Sequence, residues 1–286
     1  MARDKNEHYP VVRSGRMDYT GPGITPQIEV NIEQFLSKVN RRLYRQSRSY
    51  ELKLSIDPTA TQTYNIYALS DSWMNEQSLR MAYDMYLENS EDERDRLKKS
   101  NLARWQDFRV VSGVNFQQIN PVQFTPGLAA QQLAVGEFQI TQVVDATGLT
   151  KGFSWGGPAP SAYSMLEEYD KAGNAQANPS TSTGDMPYDD LMADDDALMG
   201  DFLQTKGNLP PYDAAGVNNG VQWVKVATLA TGATQKLSTG FFKAMSGIVL
   251  ITAGALGNEP VDVSTFEWTA KAGDYKGVHA PAILDV

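Results

Sequence analysis

The chain has 286 residues, of which 41% are hydrophobic, and carries a formal net charge of -9 with no cysteine. That length and apolar content supply a sizeable core, so disorder of the whole chain is excluded. The missing cysteine removes disulfides, thiolate metal sites and a cysteine nucleophile. The charge is unevenly placed: residues 1–53 hold ten basic and six acidic side chains, whereas the remainder holds 15 basic and 28 acidic. A basic segment ahead of an acidic body points to a polyanionic partner on one side only.

The polar opening MARDKNEHYP has no apolar stretch behind it, and no later run reaches the ~18 apolar residues of a membrane span. A soluble protein without a secretion signal or membrane partner is expected. Gly15, Gly21, Pro22, Gly23 and Pro26 break up the first thirty residues, which suits an extended arm that builds no core. Ile28, Val30, Ile32, Phe35, Leu36 and Val39 suggest a short amphipathic helix, and the basic run RRLYRQSRSY follows it. The division expected is an N-terminal arm with a basic segment over 1–48 and a main domain over 49–286.

Tyr50, Leu52, Leu54 and Ile56 alternate with polar residues as in a half-buried strand, and Tyr64, Ile66 and Ala68 repeat the pattern after the turn at Asp57-Pro58. The period then changes. Leu79, Ala82, Tyr83, Tyr86 and Leu87 share one helical face, and Ser90 with Glu93 has capping-box spacing for a second helix through EDERDRLKK. Strand-like alternation resumes at Phe108 and Val110 and again at Phe138 and Ile140.

Residues from about 152 to 220 form a long Gly/Pro/Asp-rich excursion with no Lys or Arg between Lys171 and Lys206. Uninterrupted loops of that length are uncommon inside compact domains, so a functional loop or small subdomain is expected, exposed at an outer surface. Strands return at 221–229, 235–243, 247–253 and 263–270. Eight or so strands without βαβ alternation fit a mainly β fold, an antiparallel β-sandwich or jelly roll with two inserted helices and the long loop excursion.

Catalytic equipment is scarce. His8 and His279 stand near the two ends in loop-like context, and there is no phosphate-binding loop or dinucleotide fingerprint. No catalytic residue, cofactor or metal site is therefore assigned, and an enzyme is not expected. Asp189, Asp190, Asp194, Asp195 and Asp196 could hold a hard cation, but the interleaved Leu191, Met192, Leu198, Met199, Phe202 and Leu203 read better as an amphipathic helix with a solvated acidic face.

The strongest functional signal is the basic run. Arg41, Arg42, Arg45 and Arg48 recur at spacings of three and four, so on a helix Arg41, Arg45 and Arg48 form a stripe beside Tyr44. Guanidinium forks suit phosphate, and a tyrosine between them can stack on an unpaired base. The competing reading is a solvated basic helix face.

The block from Tyr50 to Arg109 resembles capsid proteins of small circular single-stranded DNA viruses. The resemblance rests on the strand Tyr50 to Ile56, IYALSDSW at 66–73, LRMAYDMYLEN at 79–89, the ERDRL step, and ARWQDFRV at 103–110. It implies a jelly-roll coat protein that self-assembles in many copies into an icosahedral shell around the genome, located in the virion. Many such proteins open with a long basic arm. Here residues 1–20 are mixed in charge, so a basic inner surface facing viral nucleic acid is expected instead. The alternative is a carbohydrate- or surface-binding β-sandwich using Trp155, Tyr163, Tyr188 and Tyr212 as sugar platforms.

Overall fold

The computed structural model describes residues 10–19, 27–56, 62–99, 107–112, 117–118, 141–144, 148–155, 162–169, 223–230, 236–254 and 264–284. In chain order these form β1 (Ser14–Tyr19), β2 (Gln27–Asn31), α1 (Ile32–Asn40), β3 (Ser49–Ile56), β4 (Tyr64–Leu69), α2 (Trp73–Asn89) and α3 (Glu91–Lys98). Three short strands follow, β5 (Gln117–Gln118), β6 (Gln142–Val144) and β7 (Thr150–Ser154), then β8 (Ala162–Ser164), β9 (Trp223–Leu229), β10 (Leu237–Met245), β11 (Ile248–Ala253) and β12 (Ser264–Ala270). The protein is mainly β, and apart from two short parallel pairs its strands are antiparallel.

One sheet runs β1-β12-β3-β10 and another β5-β2-β11-β4-β9, with β6-β7-β8 forming a third. Apart from β5, the strands of the two large sheets pair from the outside of the chain inward: β1 with β12, β2 with β11, β3 with β10, and β4 with β9. These pairs nest one inside the next along the chain, and α2, α3 and the third sheet fall in sequence between β4 and β9.

Alternation explains how this core fills. Tyr50, Leu52, Leu54 and Ile56 of β3, with Phe266, Trp268 and Ala270 of β12, meet Ile28 and Val30 of β2, Tyr64 and Ile66 of β4, and Val249 and Ile251 of β11 in one buried cluster. Tyr64 of one sheet packs edge-on against Phe266 of the other at 5.3 Å between ring centres. Buried aromatic and aliphatic side chains contribute about 1.5–3 kcal/mol each. Phe35 of α1 reaches Trp268 at 4.0 Å, and Gly15 of β1 lies so close that an added Cβ would stand 2.6 Å from the Phe35 ring. Glycine is what lets β1 lie over this pair.

These contacts correct the expected arm over residues 1–48. Residues 14–19 and 27–31 are strands of the two large sheets, and Ile28, Val30, Phe35 and Leu36 are core. The physical reason is a change of period within one apolar run: Ile28 and Val30 alternate with Glu29 and Asn31, and only from Ile32 does the 3.6 spacing start. The boundary at 48 therefore cuts through a single packed unit. Residues 1–9 and 20–26 lie outside the described residues.

Helix α2 starts where Ser72 accepts the Asn75 amide, and α3 follows at Glu91. The capping box at Ser90 does not form: its hydroxyl donates to the Tyr86 carbonyl at 2.6 Å, a back-bond available because α2 runs directly into the joint. Residues 107–110 are irregular, with Val111 in an isolated bridge to Ser154. A second apolar cluster joins α2, this segment and the third sheet through Leu79, Phe108, Val110, Phe153, Trp155 and Met165, with Ile283 and Leu284. The first part of the expected excursion is thus folded, and Trp155 is fully buried in it. The strand expected at Phe138 and Ile140, the acidic run 185–201, its amphipathic helix, Tyr188 and Tyr212 fall outside the described residues. Among the described residues, no helix is long and apolar enough to cross a membrane.

Candidate nucleic-acid interface

The basic run begins where α1 stops. Asn40 is the last helical residue, and Arg41 caps the helix in the left-handed region at φ 51°, its amide donating to the Ser37 carbonyl. Arg42 follows with an amide bond to the same carbonyl at 3.2 Å. Lys38, Arg41 and Arg42 therefore gather at the negative end of a helix dipole, which favours cations there by ~0.3–1 kcal/mol each. Because the helix ends at Asn40, the stripe of Arg41, Arg45 and Arg48 does not exist.

The five expected residues divide. Arg41 and Arg42 are exposed. Tyr44 is fully buried: its amide donates to the Ser37 hydroxyl at 2.8 Å and its own hydroxyl donates to the Lys276 carbonyl at 2.8 Å. Stacking of Tyr44 on a base is therefore ruled out in this fold. Arg45 is half-buried, 3.7 Å from the Asp107 carboxylate, and its backbone amide donates to the Tyr275 hydroxyl. Arg48 donates to the Ala280 carbonyl at 2.9 Å and lies 3.7 Å above the Tyr275 ring. Two of the four arginines thus tie the C-terminal segment to the core.

That segment brings a cation the sequence reading missed. Tyr275 and Val278 exchange both backbone hydrogen bonds across Lys276 and Gly277, whose φ values of 50° and 90° make a two-residue turn with both central residues left-handed. The turn projects the exposed Lys276 over the rings of Tyr275 and Tyr44, at 5.2 and 5.9 Å, with its ammonium donating to the Leu43 carbonyl. Partial burial, then Arg45 and Arg48, lower the Lys276 pKa, with Asp107 opposing and Arg42 adding to the effect. The only sequence signal was Gly277 after a lysine, which fits such a turn but says nothing of its neighbours.

The arrangement concentrates Arg42, Arg45, Arg48 and Lys276 in one patch, with the buried Asp107 as the acid paired to it and the exposed Arg41 next to Arg42 in the chain. Like charges held together this way favour a bound anion, and the exposed guanidinium and ammonium heads match phosphate. The patch has no base platform at Tyr44, so what it presents to an anion is positive charge and N–H donors.

Elsewhere the described residues offer less. His279 is exposed, 3.6 Å from Glu51, which Lys271 also contacts at 2.7 Å. Among the described residues no group of three or more His, Asp or Glu could hold a metal ion. Of the four proposed sugar platforms, Trp155 is core and Tyr163 is half-buried under the Lys151 ammonium at 4.7 Å. Compared with known protein families, curated proteins and solved structures, the chain matches none of them.

Proposed function

We propose that the chain is the jelly-roll subunit of a viral coat, assembling in many copies into an icosahedral shell whose inner surface holds the genome through the Arg41–Lys276 patch. The observation that carries the reading is the strand order. Two antiparallel sheets, ordered β1-β12-β3-β10 and β2-β11-β4-β9 with β5 added at one edge, arise when a long hairpin of eight strands rolls up. That order supports the jelly-roll reading, an architecture used by many coat proteins and also by lectins.

Two further features favour the coat over the lectin. The aromatic platform that a saccharide would need loses Trp155 to the core, while the cations converge from both ends of the chain into one phosphate-suited patch. Binding there is expected to be weak per subunit and independent of sequence, and multiplied by copy number in a shell. No catalytic role, cofactor or membrane partner enters the proposal.

Electron microscopy of the purified protein tests it, with closed shells or large rings as the expected result. A monodisperse monomer under all ionic conditions that also binds saccharide would overturn the coat reading. Replacing Arg41, Arg42 and Lys276 together by Gln should preserve assembly and lower the nucleic acid content. Full packaging by that variant would remove the patch from the mechanism.

A further inference from the structure

A polar joint inside the protein fastens the segment 107–112 to the two large sheets. The Gln46 side chain is its centre: its Nε2 donates to Glu33 Oε1 at 3.0 Å, and its Oε1 accepts the Val110 amide at 2.7 Å. The Gln46 amide donates to Asp107 Oδ2 at 3.1 Å, and Ser112 bonds Glu29, which also accepts from Asn31 at 3.0 Å. On its other side the segment carries the third sheet, through Thr141 to Arg109, Val111 to Phe153 and Trp155 to Val111, all backbone bonds of 2.9–3.1 Å. It is a strap with a different sheet on each side.

Glu33 makes the joint sensitive. It is fully buried, and its Oε2 has no hydrogen-bond partner among the described residues. The groups facing it are Arg109 and Asp107 from the strap, Lys38 from its own helix and Tyr50 from β3. The β10–β11 turn brings only Gly247, where an added Cβ would stand 3.0 Å from Oε2. Asp107 in turn faces Arg45, and Arg109 is drawn to both Glu33 and Asp107.

We propose that this joint is a pH-operated latch: ionisation of Glu33 as the solution becomes alkaline loosens the 107–112 strap, and with it the third sheet, from the two large sheets. The reason is the cost of a buried charge with one oxygen unpaired, which Arg109 offsets only in part because Asp107 shares it. Burial pushes Glu33 up to about 8, raises Glu29 and Asp107, and lowers Arg109. Opening hydrates Glu33 and returns it to its ordinary value of 4.5, so the closed joint holds a proton that the open one releases. The closed form is accordingly strongest below the ordinary value and weakens as pH rises toward the raised one. Glu29 and Asp107 act in the same sense. This latch stands independently of the coat reading.

Amide exchange of the full chain between pH 5.5 and 8.5, corrected for the intrinsic rate, provides the test. Protection at Gln46, Val110 and Val111 should fall at least tenfold across that range and stay well below that of Ile66 and Ile251 in the large sheets, which exchange only when the whole chain unfolds. Glu33→Gln should make the strap amides insensitive to pH. Strap protection that is flat in the wild-type chain, or a slope unchanged in Glu33→Gln, would overturn the latch. Should the variant not fold, carbon-13 titration of the Glu33 carboxyl in the wild-type chain decides: a midpoint in the ordinary glutamate range refutes the proposal, and one that tracks strap opening upholds it.

Discussion

Arg48→Gln separates the arginines that brace the fold from the exposed ones. In the folded chain the Arg48 guanidinium donates to the Ala280 carbonyl at 2.9 Å and covers the Tyr275 ring at 3.7 Å. A hydrogen bond from a charged group contributes ~1.5–3 kcal/mol and a partly exposed cation–π contact ~0.5–1 kcal/mol. The glutamine amide recovers part of the first, and removing one charge relieves the repulsion that Arg48 exerts on Lys276. About half of the gross value remains, a loss of about 1.5 kcal/mol, or a melting point lower by roughly 3–6 °C. Urea unfolding of the disassembled subunit measures the first quantity, and salt titration of single-stranded oligonucleotide binding measures the functional one. Arg48→Gln should shift unfolding and leave the salt slope nearly unchanged. Arg42→Gln should do the reverse, with unfolding within about 0.5 kcal/mol of wild type and a slope shallower by about 0.7, the value of one single-strand phosphate. An Arg48→Gln variant of unaltered stability that bound ten times more weakly would refute the division drawn here.

Three other substitutions probe the same framework. Tyr44→Phe removes the hydroxyl bond to the Lys276 carbonyl and should cost about 1 kcal/mol in urea unfolding, with no loss of oligonucleotide affinity. Gly247→Ala places a side chain at φ +70°, within 3.0 Å of the Glu33 carboxylate and 3.2 Å of the Tyr50 ring, so a loss of about 1–3 kcal/mol is expected by the same measurement. Trp155→Ala empties the second apolar cluster and should destabilise by about 3–5 kcal/mol, read by thermal melting, while saccharide arrays show no signal for either form.

The local pattern was enough to determine several elements. β3 and β4 follow from alternation, the four strands from β9 to β12 from short runs set off by Gly-containing turns, and α2 from its 3.6 period, because those patterns are properties of a few neighbouring side chains. The same locality misled at Ile28 and Val30, where two alternating residues ran into a helical run and were absorbed by it. It misled again at Arg41, Arg45 and Arg48, whose spacing fits a helix that in fact ends at Asn40. Neither the pairing of β1 with β12 nor the contact of Tyr44 with Lys276, 232 residues away, leaves a local trace. Composition determined that an acidic chain concentrates cations ahead of Tyr50. Tertiary structure alone decided which of them reach solvent, which brace Asp107 and Ala280, and that Lys276 joins them, because burial and charge proximity depend on which distant segments the strand pairing lays side by side.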